Sequence, residues 1–158
     1  MLRIIITSLL MFGFIGSVAA EDVTYRKHIK PIFDKQCSAC HDSSAPYYGE
    51  FKEYKDKFKA MMKGPRMDTY ADLLFFVGWP DSGALMRRLD DGNSPHTKGG
   101  KPGNMYQYLG SSDRERKKNL FQFKAWVGKG GWNLNRWKKR GDVPGITKEQ
   151  LDKVKVKY

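Results

Sequence analysis

The chain contains only two cysteines, Cys37 and Cys40, and they lie three residues apart. Small secreted domains commonly rely on several disulfides that join distant segments. These two cysteines cannot supply such a framework, because a disulfide between them would close only a very short loop. With 158 residues, 40% hydrophobic and 29% charged, the chain has the composition of one small globular domain. Its fold therefore needs another source of stabilisation.

The first twenty residues have the pattern of a cleaved signal peptide. Arg3 precedes an apolar run over residues 4–14, and Val18-Ala19-Ala20 offers small side chains to a signal peptidase. The run is shorter than the roughly 20 residues of a membrane span, which disfavours an uncut anchor. We therefore predict export to the periplasm and a mature chain that begins at Glu21.

Cys37-Ser38-Ala39-Cys40-His41 follows the C-x-x-C-H pattern. Two thiols one helical turn apart can form thioether bonds to the vinyl groups of a haem, and the adjacent imidazole can bind the iron. Thioether bonds also make the cofactor permanent outside the cytoplasm. The motif predicts one covalent haem c, with Cys37 and Cys40 as attachment residues and His41 as the proximal axial ligand.

Other uses of the two cysteines fit the chain less well. A redox dithiol normally lies at a strand-to-helix junction of an α/β sheet, and the sequence lacks the matching alternation of strands and helices. A structural zinc site needs a fourth ligand, and only His28 and His96 remain to provide it. Haem attachment is the interpretation that uses all three motif residues.

Helical patterns account for the chain up to residue 90. We predict a first helix over residues 23–40, with Pro31 in a first turn, and a second helix with an apolar stripe, which Gly64-Pro65 ends. A third helix is predicted to begin at a cap formed by Asp68 or Thr69, and a fourth to cover residues 82–89. The stripe repeats at three- and four-residue intervals and is expected to cover a large apolar surface. Its members are Phe51, Tyr54, Phe58, Met61 and Met62.

Residues 90–110 hold five glycines and two prolines and are predicted to form a long loop. Ser112 and Glu115 then make an S-x-x-E capping box for a last helix that ends near Gly128. No alternating pattern long enough for a sheet is found. The predicted fold is a small all-α domain with long loops, divided into a signal peptide (1–20), a domain (21–132) and a basic C-terminal extension (133–158).

The motif and the last helix resemble those of class I cytochromes c, in particular the bacterial periplasmic monohaem members. Phe33, four residues before Cys37, matches the aromatic that packs under the haem in that family. Phe123, Trp126 and Val127 match the pattern with which the family's last helix crosses the first. The resemblance implies a helical fold around one haem. It covers about half of the mature chain; residues 44–68 and 133–158 have no counterpart in it.

The sixth ligand of the iron is predicted to be Met105. A thioether favours ferrous iron and suits an electron relay, and Met105 lies in the loop before the last helix, where the resemblance places the ligand. Met67 and His96 are the alternatives, and an open sixth position is a third. The remaining mature methionines are expected in the apolar core: Met61, Met62 and Met86.

The formal charge is +12, and removal of Arg3 leaves +11 on the mature chain. Such an excess can steer an acidic redox protein into fast, weak encounters. Export excludes nucleic acid as an expected partner, whereas peripheral contact with an anionic membrane stays open. The basic residues cluster around Trp137: Arg136, Lys138, Lys139 and Arg140.

The leading hypothesis from the sequence is a monomeric, non-enzymatic carrier that shuttles single electrons between respiratory redox partners. Two alternatives remain, a cytochrome subunit of a redox enzyme and a haem-based binder or sensor of small ligands. The segments at 44–68 and 133–158 motivate the first alternative, since they exceed what a minimal carrier requires.

Overall fold

The computed structural model describes residues 21–78, 81, 83–94, 100–132 and 146–158. The predicted signal peptide, His96 and the basic cluster around Trp137 lie outside these residues. Within them the chain is helical and has no strand, which confirms the all-α prediction. The helices are α1 (Lys30–Gln36), α2 (Ser38–His41), α3 (Tyr48–Glu53), α4 (Lys55–Ala60), α5 (Tyr70–Phe75), α6 (Ala84–Leu89), α7 (Asp113–Val127), α8 (Lys129–Trp132) and α9 (Lys148–Leu151).

The predicted first helix is divided into three parts. A π-helical turn over Tyr25–Ile29 leads into α1, which has Pro31 in its first turn as predicted, and α1 leads into α2. The break falls at Cys37, whose φ of −118° departs from helical geometry. The haem-attachment motif therefore has its own short helix, α2, at the end of α1.

The apolar stripe over residues 51–62 does not form the single core-facing helix that the sequence predicts. Tyr54 lies between α3 and α4 in a non-helical conformation. Phe58 is buried, but Tyr54, Met61 and Met62 are 50%, 57% and 75% exposed. The expectation of core packing is therefore wrong for Met61 and Met62, whereas Met86 on α6 is buried as predicted.

The remaining helices begin close to the predicted residues. Thr69 caps α5 by accepting a hydrogen bond from the amide of Asp72, and Ser112 caps α7 by accepting one from the amide of Glu115. The Glu115 carboxylate binds the amide of Ser111 rather than that of Ser112, so the reciprocal half of the capping box is shifted by one residue. A short 3-10 helix, Tyr106–Leu109, interrupts the predicted long loop.

The core lies where the first helical segment meets α7. Ile29 on the π-helical turn and Trp126 and Val127 on α7 are fully buried, and the rings of Tyr25 and Trp126 lie 6.2 Å apart. Leucines of α5, α6 and α7 complete one apolar cluster around this contact: Leu73, Leu85, Leu89 and Leu120. This crossing of the first and last helices agrees with the one that the resemblance implies.

The last residues of the chain pack against this crossing. The amides of Lys155 and Val156 donate to carbonyls at the end of α7, at 3.0 and 2.9 Å. The amides of Tyr25 and Arg26 in turn donate to the carbonyls of Lys157 and Tyr158, at 2.8 and 3.1 Å. Residues 155–158, part of the predicted extension, thus bridge the first and last helices.

Candidate haem site

The site begins with the two cysteines and the histidine of α2. The amides of Cys40 and His41 both donate to the carbonyl of Cys37, at 3.2 and 3.1 Å, so the segment makes one helical turn. Residues three apart lie on the same side of a helix, which brings the side chains of Cys37 and Cys40 to one face. This is the arrangement that two thioether bonds to one haem require.

A hydrogen bond from the segment after α4 orients the imidazole of His41. Nδ1 of His41 lies 2.6 Å from the carbonyl oxygen of Pro65. A carbonyl can only accept, so Nδ1 carries the proton and Nε2 keeps its lone pair. Burial lowers the pKa of His41, which also favours the neutral ring. Both effects prepare Nε2 to bind a metal ion.

Gly64 lets the backbone approach the face of this ring. A Cβ placed on Gly64 would overlap three ring atoms of His41, Cε1, Nδ1 and Nε2. No residue with a side chain fits there without displacing the imidazole or the loop. The glycine therefore belongs to the site, although the sequence indicates only that it ends a helix.

Two further backbone hydrogen bonds hold residues 63–67 against the motif. The amide of Gly64 donates to the carbonyl of Cys40 at 2.9 Å, and the amide of Met67 donates to the carbonyl of His41 at 3.0 Å. Together with the bond to Pro65, they make residues 63–67 the support of the proximal side. We call this segment the proximal loop.

The environment of Cys37 does not suit a redox dithiol. Burial raises the pKa of the Cys37 thiol to about 12, so the unmodified thiol stays protonated at neutral pH. Dithiols that exchange with disulfides have a lowered thiol pKa, because the thiolate is the attacking species.

Among the described residues, no group of three or more His, Cys, Asp or Glu side chains is arranged to hold a metal ion.

Met105 lies at the end of a loop that α6 holds in place. Its amide donates to the carbonyl of Arg88 at 2.9 Å, and the amide of Gly103 donates to the carbonyl of Asp90 at 2.7 Å. The Arg88 guanidinium donates to the side chain of Asn104 at 2.7 Å. Met105 is half-buried and packs against the core cluster. We call residues 103–105 the methionine loop.

The other methionines are placed less favourably for the distal side of a haem. Met67 packs against the same core cluster as Met105, but its amide donates to the carbonyl of His41, so its backbone belongs to the proximal loop. Met61 and Met62 are exposed, and Met86 is buried within the core cluster. Met105 therefore stays the predicted sixth ligand, and Met67 stays the alternative among the described methionines.

The donor set fits a haem c. Cys37 and Cys40 would hold it by thioether bonds, His41 would bind the iron through Nε2, and Met105 is the proposed sixth ligand. When bound, the haem supplies reversible one-electron oxidation and reduction of its iron. The protein supplies a neutral, oriented imidazole and a close-packed support behind it.

Sequence reasoning missed the residues that support His41. Lys63, Gly64 and Pro65 lie in a segment for which the resemblance offered no counterpart. The Gly64-Pro65 pair was a usable signal, since a glycine permits close backbone approach and a proline presents a carbonyl without an amide of its own. Nothing in the local pattern indicates that this carbonyl meets a histidine 24 residues earlier.

None of the described helices has the length and apolarity needed to cross a membrane.

Comparison with known proteins identifies the family. The model of the family described as PccH cytochrome c matches residues 24–158. The solved structure of the monoheme cytochrome PccH from Geobacter sulfurreducens is 53% identical in sequence, with a TM-score of 0.74; the match covers 87% of this chain and 100% of that chain. No match is found among curated proteins. The chain belongs to the PccH cytochrome c family and is a monohaem c-type cytochrome with one covalently attached haem.

Proposed function

We propose that the protein is a periplasmic electron carrier that shuttles single electrons between respiratory redox partners, with His41 and Met105 as the axial ligands. The observation that carries the proposal is the support of His41 by the proximal loop, combined with a methionine that α6 holds in a half-buried position. A relay needs both axial positions filled and needs no bond-making residue. Family membership is consistent with electron transfer.

A rigid proximal ligand favours this function. Electron transfer is faster when the surroundings of the redox centre rearrange little between oxidation states. The ring of His41 is held by one hydrogen bond and by the backbone of Gly64, so it has little freedom to reorient. A ligand binder or sensor would instead need a sixth position that opens to an incoming molecule.

The axial ligand is tested by Met105→Ala, with Met62→Ala and Met67→Ala as matched controls. We expect the wild-type ferrous protein to be low-spin and inert to carbon monoxide. The Met105 variant should be high-spin, bind carbon monoxide and have a lower reduction potential. The two controls should keep the wild-type spectrum. An unchanged spectrum in Met105→Ala would refute this ligand, and rapid carbon monoxide binding by the wild type would favour the sensor alternative.

The partner is proposed to be an acidic redox protein that docks on the surface of α3 and α4. Several exposed large apolar side chains lie within residues 47–62, namely Tyr47, Tyr54, Met61 and Met62. The same segment carries four lysines, at positions 52, 55, 57 and 59, and three carboxylates, Glu50, Glu53 and Asp56. An exposed apolar patch whose flanking charges are positive on balance is suited to transient docking of an acidic surface. The segment leads directly into the proximal loop, which contacts the attachment motif.

A carboxylate-terminated monolayer on a gold electrode serves as the acidic probe for this surface. Lys55→Glu/Lys59→Glu is compared with Lys118→Glu/Lys148→Glu, which changes the net charge equally on other helices. We expect the first variant to lose electron transfer to the electrode at low salt, and to approach the wild type at high salt. Equal losses in both variants would show that net charge acts without a specific docking surface.

A further inference from the structure

Lys63 is the first residue of the proximal loop, and its ammonium group lies against the segment that carries His41. Nζ donates to the carbonyl of Ala39 at 3.3 Å, to the carboxylate of Asp42 at 3.2 Å and to the hydroxyl of Ser44 at 2.9 Å. Ala39 lies within the attachment motif, and Asp42 directly follows its histidine. The ammonium therefore lies at the carboxyl end of α2, next to the residue that carries the imidazole.

Three hydrogen-bond acceptors fix this charge in one place. An ammonium has three donors, and each one is used here. An exposed lysine would instead move through many rotamers and be screened by water. Only 23% of the Lys63 side chain is exposed. Its charge thus has a defined position and an environment less polar than bulk water.

The ion pair with Asp42 does not cancel this charge completely. The Asp42 side chain is 40% exposed, so water screens its negative charge more than it screens the charge of Lys63. A positive charge near a redox centre favours the reduced state, since reduction adds a negative charge. A negative charge has the opposite effect, so the two residues should act on the potential in opposite directions.

We infer that Lys63 tunes the reduction potential of the iron bound at His41, raising it through a fixed positive charge that Asp42 partly offsets. The inference rests on His41 as the proximal ligand, as in the proposed function, and it does not depend on any redox partner. The role of Lys63 differs from that of Pro65, which acts on the imidazole itself through a hydrogen bond.

The test is an equilibrium redox titration of purified holoprotein variants, with the visible spectrum followed at each potential. Lys63→Gln removes the charge while keeping a hydrogen-bond donor, and we expect it to lower the potential. Asp42→Asn should raise the potential, and the double variant should lie between the two single variants. Lys63→Arg keeps the charge and should stay closest to the wild type. At a fixed applied potential, the ratio of ferrous to ferric protein should fall in Lys63→Gln and rise in Asp42→Asn.

The exposed pair of Lys148 and Asp152 on α9 provides a matched control, because its Lys side chain is 81% exposed. Lys148→Gln should leave the potential unchanged. Thermal unfolding and haem content are measured on the same samples to separate a folding defect from an electrostatic effect. The inference is overturned if Lys63→Gln behaves like Lys148→Gln, or if Lys63→Gln and Asp42→Asn shift the potential in the same direction. A carrier function that failed with real partners would leave these titrations unaffected.

Discussion

The two candidate axial ligands are held in different ways. His41 is enclosed by the proximal loop, which contributes a hydrogen bond to the ring, two backbone hydrogen bonds and a glycine packed on the ring face. Met105 is fastened at its backbone, by hydrogen bonds to the carbonyl end of α6. None of these bonds involves the thioether itself. The protein therefore orients the ring of His41 directly, whereas its hydrogen bonds to Met105 all involve the backbone.

This difference assigns separate tasks to the two sides. A preorganised imidazole gives the iron one constant ligand, which suits a bond formed once during maturation. A methionine whose hydrogen bonds all involve its backbone can adjust its sulfur position to the cofactor, and its long, unbranched side chain is well suited to do so. Changes on the proximal side should therefore affect haem retention, and changes in the methionine loop should affect ligation.

The largest effect is expected from Gly64→Ala. The added methyl group would overlap the His41 ring, and overpacking of this kind costs about 1–3 kcal/mol of folding free energy. We expect a several-fold loss of haem per polypeptide, measured by absorbance in alkaline pyridine.

Gly49→Ala on α3 is the matched control for that change, because a Cβ at Gly49 meets no atom within 4 Å. It should retain the haem content of the wild type. Full haem content in Gly64→Ala would show that the proximal side is less rigid than its geometry indicates.

A smaller and different effect is expected from Gly103→Ala. Its methyl group would overlap the carbonyl oxygens of Arg87 and Arg88, which lie at the end of α6. The methionine loop must move away, so we expect haem content near that of the wild type but partial conversion to high-spin iron. The visible and electron paramagnetic resonance spectra measure the fraction of high-spin iron. A loss of haem equal to that in Gly64→Ala would remove the distinction between the two sides.

Glu115 connects the two sides, and its replacement should have a pH-dependent effect on stability. Its carboxylate accepts hydrogen bonds from Lys35 on α1 at 2.7 Å and from the amide of Ser111, after the methionine loop, at 2.8 Å. The bond with Lys35 and those with Ser111 lower the pKa of Glu115 from 4.5 to about 2. A lowered pKa contributes stability above the unfolded value, and that stability is lost as the pH falls from 4.5 towards 2.

Glu115→Gln should therefore unfold at a lower temperature than the wild type at pH 6, and the difference should shrink as the pH falls towards 2. Thermal unfolding of the two proteins, followed by far-ultraviolet circular dichroism at several pH values, measures this difference in unfolding temperature. A difference that stays constant over this range would show that the carboxylate charge does not contribute.

The smallest effect is expected from Tyr70→Phe. The hydroxyl of Tyr70 donates to the carbonyl of Val156 at 2.7 Å, and this bond helps to hold the end of the chain on the helix crossing shared by both sides. Its loss should cost about 0.5–1.5 kcal/mol, measured by denaturant unfolding, with haem content and spectrum unchanged. A change in the visible spectrum would contradict this expectation and would show that the helix crossing also affects the axial ligands.

Local patterns predicted the parts of the molecule that depend on neighbouring residues. The spacing of Cys37, Cys40 and His41 indicates one helical turn, and Thr69 and Ser112 mark helix starts through bonds to residues three positions later. These interactions are short-range, so a single sequence contains them.

The segments that sequence reasoning left unexplained depend on long-range contacts. Pro65 acts on a histidine 24 residues away, and Lys157 accepts a hydrogen bond from the indole of Trp126, 31 residues away. The stripe at residues 51–62 has helical spacing, but no other segment of the described chain covers Tyr54, Met61 and Met62. Periodicity shows which side chains share a face, and it does not show whether that face has a partner.

The bridge made by residues 155–158 has a consequence for the order of folding. The amides of Tyr25 and Arg26 have their acceptors far away in the sequence, at Lys157 and Tyr158. Contacts between such distant segments form late, because the loss of chain entropy on closing a long loop must be offset before they contribute stability. We therefore expect the crossing of the first and last helices to close in one of the last steps of folding.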